Sequence, residues 1–367
     1  MNNWSKLKLF YFNSILLVFS LFIGELISRT FFPEFIGDYF SENKTRSFNF
    51  YRGKLKDIEL IRTPIPDWEI NQDLSMFLII GDSLTAGHGL SYEDIYWVKL
   101  KNINNLISRD KIEVVPIAGF GGDLNNFYKN KRNEDVIKIS NEFPGKKKYI
   151  LYQFNFADIS PKEINKFDQT ENMNFFTSLD TKLKNLSGRH LQKSTFVRIL
   201  RHYAGIIKRK SYSNKSCLEK GWFSLQEFSY AYASMGLEEQ SLESWQIFEN
   251  NISLLKELSV KVGAELILFI SPTIFDIDTN KVHRHHNTYG LDFSCATIDP
   301  RKKLNSITRT YDIKLIDPAI YLKDKFEAYL KEGNFVRFFY AADNVHITPI
   351  ASSHLSNFLL KKIFFDK

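Results

Sequence analysis

Cysteine is nearly absent from this chain of 367 residues, which holds only Cys217 and Cys295. Two cysteines exclude a disulfide framework, and their spacing fits no metal-binding motif. They either pair in an oxidising compartment or stay as two structural thiols, and both readings stand at this stage. Internal repeats and low-complexity segments are lacking, which excludes repeat arrays and biased linkers. Nucleic-acid-binding motifs are lacking too. The formal charge of +7 and the pI near 9.0 suit anionic surroundings such as phospholipid or anionic glycan. Without a recognition motif, that charge predicts no nucleic-acid partner. What is present describes a globular chain: 44% hydrophobic and 25% charged residues, enough for one large or two ordinary domains.

The first 30 residues carry a long apolar run. Leu9 to Ile27 is broken only by Asn13, Ser14, Ser20, Gly24 and Glu25. That length is close to the roughly 20 residues that cross a bilayer. Lys6 and Lys8 precede the run, so the positive-inside tendency predicts a cytoplasmic N-terminus and an extracytoplasmic remainder. A cleaved signal peptide is the rival, but Phe22-Ile23-Gly24 makes a poor cleavage site. The expectation is a single-pass membrane anchor over 1–30, a connecting segment over 31–75 and a catalytic domain over 76–367.

From residue 76 strands and helices alternate. Short apolar runs predict strands at 76–82, 111–119, 147–155, 264–272 and 313–318. Helices are expected over 93–108, 124–143 and 349–365. Another is marked by Leu242, Trp245, Phe248, Ile252, Leu255, Leu258 and Val262, spaced three or four apart. Strands separated by helices predict a parallel sheet covered on both faces, a three-layer flavodoxin-like α/β domain. An insertion at about 160–239 interrupts the alternation. Within it, 191–210 is basic and amphipathic, either a lid or membrane-surface helix or a packed helix with a solvated basic face.

The stretch FLIIGDSLTAGHGL (77–90) runs from a buried strand into a serine among small residues. In open α/β sheets ligands bind beyond the carboxyl ends of the strands, and Ser83 stands at one such end. A serine hydroxyl needs a base to take its proton and an acid to orient that base. Near the C-terminus, AADNVHITP supplies both in His346 and Asp343. Its expected place, on a loop between the last strand and the last helix, brings it to the same sheet edge.

Together, GDSLTAG after the first strand and DNVH before the last helix resemble the two ends of the SGNH (GDSL) hydrolase superfamily. The family's second block has a glycine after the second strand, and IAGFGGD (117–123) matches it at Gly122. The third block reads G-x-N-D. Here QFNFADI (153–159) keeps Asp158 but has Ala157 at the asparagine position. Asn155, two residues earlier on an extended segment, points to the same side as residue 157. The resemblance covers roughly 76–158 and 240–365. It implies a serine esterase without a cofactor, acting on acyl esters of glycan or lipid. Ser83 would be the nucleophile, His346 the general base and acid, and Asp343 the orienting acid. The backbone N–H groups of Ser83 and Gly122, with the Asn155 amide, would form the oxyanion hole. Gly122 also reads as a plain turn glycine. Asp82 and Asp158 are expected in supporting roles. An O-acyltransferase with the same triad and a non-catalytic binding module are the alternatives.

A second cluster gathers His283, His285 and His286, with Asp276 and Asp278 upstream. Imidazole and carboxylate suit zinc, but the spacing matches no common motif. The stretch is therefore read as a substrate-contacting loop, and no metal is expected.

Overall fold

The protein is described here from a computed structural model. It describes residues 19–20, 22–27, 52–55, 58–61, 71–118, 123–159, 239–277, 298–334, 336–339 and 346–366. Contacts divide the chain into two units. The larger comprises Glu42–Ile164, Trp222–Asn287 and Leu291–Lys367. The smaller comprises Met1–Ser41, Asn165–Gly221 and Thr288–Gly290. Its described residues, 19–20 and 22–27, are helical, with Phe19, Phe22 and Leu26 exposed.

A five-stranded parallel sheet organises the larger unit. Its strands are β1 (Ser75–Gly81), β2 (Ile112–Ala118), β3 (Lys148–Phe154), β4 (Ala264–Ile270) and β5 (Lys314–Ile316). The spatial order is β2-β1-β3-β4-β5, the flavodoxin order, and every pairing is parallel. β1 and β3 are buried on both faces along nearly their whole length, which is why they read as continuous apolar runs rather than alternating ones.

Successive side chains point to opposite faces, so each strand feeds two cores. Phe77 and Ile79 of β1, Ile112 and Val114 of β2, Tyr149 and Leu151 of β3, and Ile267 and Phe269 of β4 line one face. They pack with Trp97 and Leu100 of α1 (Tyr96–Ile107) and with Leu355 and Leu359 of the C-terminal helix. On the other face, Phe154 meets Phe248 with ring centroids 5.1 Å apart. Two helices in chain order after α1, α2 (Leu124–Lys129) and α3 (Arg132–Asn141), come next, and Phe248 lies on α4 (Glu239–Lys261). The domain thus has helices over both faces of its sheet.

The structure refines several expectations. The helix expected over 124–143 is two helices, because Lys131 takes a left-handed φ of 56° between α2 and α3. Two helices unseen in the sequence reading flank β5: α5 (Pro300–Thr310) and α6 (Ala319–Lys331). The last helix, α7 (Pro349–Leu360), ends in a wider turn over Lys361–Phe365. The 31–75 segment contains an antiparallel hairpin, Arg52–Leu55 with Ile58–Ile61. Among the described residues, no helix is long and apolar enough to cross a membrane, and most of the expected anchor lies outside them. The 191–210 segment, Cys217, Cys295, Asp278, His283, His285 and His286 also lie outside the described residues.

Candidate active site

Register brings the ends of β1 and β3 to one edge of the sheet, where the strand order reverses. That reversal is where doubly wound sheets open a crevice. The chain leaves β1 at Gly81 and turns through Asp82 and Ser83. The turn is closed by bonds from the backbone N–H of Ala86 to Asp82 O, and from that of His88 to Ser83 O, each 3.0 Å.

Gly81 is required by packing. A Cβ there would fall inside contact distance of Thr85 Oγ1 and 2.7 Å from Gln153 Oε1. Thr85 cannot withdraw, because it is fully buried. Its hydroxyl bonds Gln153 Oε1 and lies 3.0 Å from Tyr96 Oη, and its carbonyl accepts from Trp97 Nε1 at 2.8 Å. Gly81→Ala is therefore expected to destabilise the fold by about 1–3 kcal/mol. Urea unfolding of the variant beside the wild type measures this.

Beneath Ser83 lies a polar network centred on Asp82. Its Oδ1 accepts from Leu84 N at 2.8 Å and from Gln153 Nε2 at 2.7 Å, and its Oδ2 accepts from Asn155 Nδ2 at 3.2 Å. Gln153 is buried, so its amide must be satisfied internally. It is, with one end on Thr85 and the other on Asp82. Asn155 is also a cap: its Oδ1 accepts from Ala157 N at 3.0 Å, and its own N–H donates to Asp158 Oδ2 at 3.0 Å. This reciprocal pair opens the short turn Phe156–Asp158.

Asp158 also accepts from Tyr152 Oη at 2.5 Å. Burial of its carboxyl pushes the Asp158 pKa well above the usual carboxylate range, outweighing the two hydrogen bonds that lower it. A raised folded-state pKa means the folded protein binds the proton more tightly than the unfolded chain. The stability this contributes is complete below the ordinary carboxylate value and is lost as pH rises through the folded value. Asp158→Asn, which does not titrate, should therefore gain stability relative to wild type as pH rises from 4 to 8. Thermal melts of both proteins across that range measure the gain.

The base arrives from the other end of the chain. Ile347 forms an antiparallel bridge with Phe339, and Thr348 N donates to Phe338 O at 3.0 Å. Thr348 Oγ1 donates to Arg337 O at 2.6 Å, and Thr348 is the N-cap of α7, with Pro349 in its first turn. Ser352 Oγ in turn donates to Asp94 O, tying α7 to the segment after the Ser83 turn. His346 is thus fixed just ahead of a capped helix. Helix α6 separates it from β5, so its segment does not follow the last strand directly as the sequence suggests. His346 Nε2 stands 2.9 Å from Ser83 Oγ across 263 residues of sequence.

Ser83 and His346 form one hydrogen-bonded pair. Asp82, Asn155 and Asp158 adjoin it through the network above. Gly122 and Asp343 lie outside the described residues. Asp276, upstream of the histidine cluster, binds Arg301, its Oδ1 2.6 Å from Arg301 Nη2, and its Oδ2 accepts from Thr273 Oγ1 at 2.7 Å. Three residues near Ser83 escape the sequence reading: Gln153, Thr85 and His88. The signal for Gln153 is a polar residue ending an otherwise apolar strand.

Among solved structures, the chain is similar to an acetylxylan esterase from Geobacillus stearothermophilus. Identity is 13% and the TM-score 0.38, over 80% of this chain and 95% of the other. It is also similar to the YxiM protein of Bacillus subtilis, at 13% identity and a TM-score of 0.40. That match covers 79% of this chain and only 56% of the Bacillus chain. A third is a Slackia heliotrinireducens protein assigned to the SGNH hydrolases, at 12% identity and a TM-score of 0.36, over 79% of this chain and 99% of that one. Likenesses this distant carry no weight about activity; the geometry around Ser83 does. No family model and no curated protein matches the chain.

Proposed function

We propose that this chain is a serine esterase of the SGNH type, with residues 76–367 as its catalytic domain and 160–239 as an insertion. The 2.9 Å contact between His346 Nε2 and Ser83 Oγ at the switch point of the sheet carries the reading. A neutral imidazole at that distance takes the serine proton as Oγ attacks an ester carbonyl. The carbonyl oxygen becomes an oxyanion, which the N–H groups of Ser83 and Gly122 and the amide of Asn155 are proposed to receive. His346 then returns the proton to the leaving alcohol, and the acyl group stays on Ser83. Water, deprotonated by the same imidazole, then attacks the acyl carbon; the bond to Ser83 Oγ breaks, the imidazole returns its proton to Oγ, and the acid leaves. Asp343 is assigned to the remaining ring nitrogen of His346. The substrate class is an acyl ester of glycan or lipid. Assay of 4-nitrophenyl esters of graded chain length, with and without sugar acceptors, tests the reaction. Acid release that depends on Ser83 and is indifferent to acceptor is expected. Acyl transfer to the sugar at the expense of acid would replace hydrolysis with transferase chemistry.

The domain is further proposed to be tethered outside the cytoplasm by the N-terminal apolar run Leu9–Ile27. Lys6 and Lys8 ahead of the run, and the exposed apolar side chains of Phe19, Phe22 and Leu26, support this. A reporter active only outside the cytoplasm, fused after Lys367, is expected to be active. The protein is expected to stay in the membrane fraction after high-salt washing. Release as a chain about 25 residues shorter would instead indicate a cleaved signal peptide.

A further inference from the structure

We propose that His88 is a positioning residue that holds the imidazole of His346 in its reactive orientation by direct contact between the two tilted rings. This rests on the reading of Ser83 and His346 as nucleophile and base. The two rings lie with centroids 4.3 Å apart and planes at 40°. His346 therefore meets Ser83 Oγ through Nε2 and the ring of His88 through its own ring.

The backbone around His88 is built to place that ring. Gly87 and Gly89 flank it with φ of 68° and 81°, a region that side-chain-bearing residues rarely adopt. A Cβ on Gly87 would also fall 2.5 Å from Cγ1 of the buried Ile95, so the chain here packs directly against the core. The bond from His88 N to Ser83 O ties the residue to the nucleophile itself. None of these restraints uses the His88 side chain, so its replacement leaves the turn's backbone bonds available.

The terminal torsion of a histidine is broad and roughly two-fold, so the bond to Ser83 and the assigned contact with Asp343, both made at the ring's edge, leave the tilt of the ring plane to the groups packed on it. A ring packed against it at 4.3 Å narrows that freedom. Misplacing a reacting group by about 1 Å costs up to about 10²-fold in rate. In this proposal His88 acts through His346 rather than on the reacting atoms, and its effect should therefore appear in kcat and leave KM nearly unchanged.

The test compares His88→Ala, His88→Phe and His88→Leu with wild type and Ser83→Ala. It uses a short 4-nitrophenyl ester and, separately, the rate of labelling by a fluorophosphonate. His88→Ala is expected to lower kcat and labelling rate together by about 10- to 100-fold, with KM within about two-fold. His88→Phe, which keeps a flat ring, should recover most of that loss. His88→Leu, of similar bulk without a ring, should not. If His88→Ala does not fold, the Phe and Leu variants decide the matter between themselves. Equal rates for Phe and Leu, or wild-type rates for Ala, overturn the inference while leaving the esterase reading in place. A wild-type chain whose turnover and labelling match those of Ser83→Ala overturns the esterase reading, and the inference with it.

Discussion

Ser83→Ala is expected to lower turnover of a small acyl ester by about 10⁴–10⁶, with the fold intact. The loss is large because the serine supplies the only protein atom that forms a bond to the substrate in the proposed mechanism. The fold should survive because Ser83 Oγ fills no core; it lies half-buried, and its one described partner is His346. His346→Ala should match it, since each group is useless without the other. Removing both should cost little more than removing one, the non-additivity expected of groups that act as a unit. Steady-state kinetics on the two single variants and the double variant, beside their thermal melts, measure this. Wild-type turnover by Ser83→Ala would exclude the serine mechanism.

The next largest effect is expected at Asn155. Ala157 offers no side-chain donor where the resemblance calls for an asparagine, and Asn155 lies two residues before it. One of its amide hydrogens goes to Asp82 Oδ2 at 3.2 Å, so Asn155 is anchored to the residue next to the nucleophile. If its other hydrogen serves the oxyanion, Asn155→Ala costs about 10²–10³ in kcat, the usual effect of losing one such donor. A stability loss of about 1 kcal/mol should accompany it, because the Phe156–Asp158 turn loses its cap. Asn155→Asp should be worse than alanine, since it sets a second carboxylate against Asp82. Kinetics of both variants, together with Ala157→Asn, decide the donor. Silence at Asn155 with a faster Ala157→Asn would mean that the hole works on backbone groups alone.

Much of this architecture is legible in the sequence because it depends on local pattern. β1 and β3 are buried on both faces, and a buried parallel strand is a plain apolar run between breakers. The face of α4 is written in residues three and four apart, from Trp245 to Leu258, and these residues are buried as expected. The parallel pairing of the sheet follows from the alternation of strands with helices.

The elements that escape are those with weak or competing signals. α5 is strongly polar, and its apolar stripe is narrow: Leu304 and Ile307 are buried among lysines and arginines. Its start was nonetheless available in Asp299-Pro300, an N-cap followed by a proline at the first helical position. α6 follows a strand of only three residues, too short to announce a new helix, although Leu322 and Phe326 have the right spacing. The break at Lys131 has no glycine or proline to mark it. At the candidate site, Ser83 and His346 are visible as motif residues, whereas the network beneath them is not. Gln153 and Thr85 look like surface residues by type. Only the fold shows them buried and bonded to each other, which explains why the position before Asp82 must be glycine.

The most direct test of the central claim is labelling of the purified chain with a fluorophosphonate, followed by mapping of the modified peptide. The reagent reacts with a serine only when a base activates its hydroxyl. The account predicts one adduct, on Ser83, formed by the wild type and lost in both Ser83→Ala and His346→Ala. A wild-type chain that takes up no label, or labelling of Ser83 that persists without His346, would contradict it.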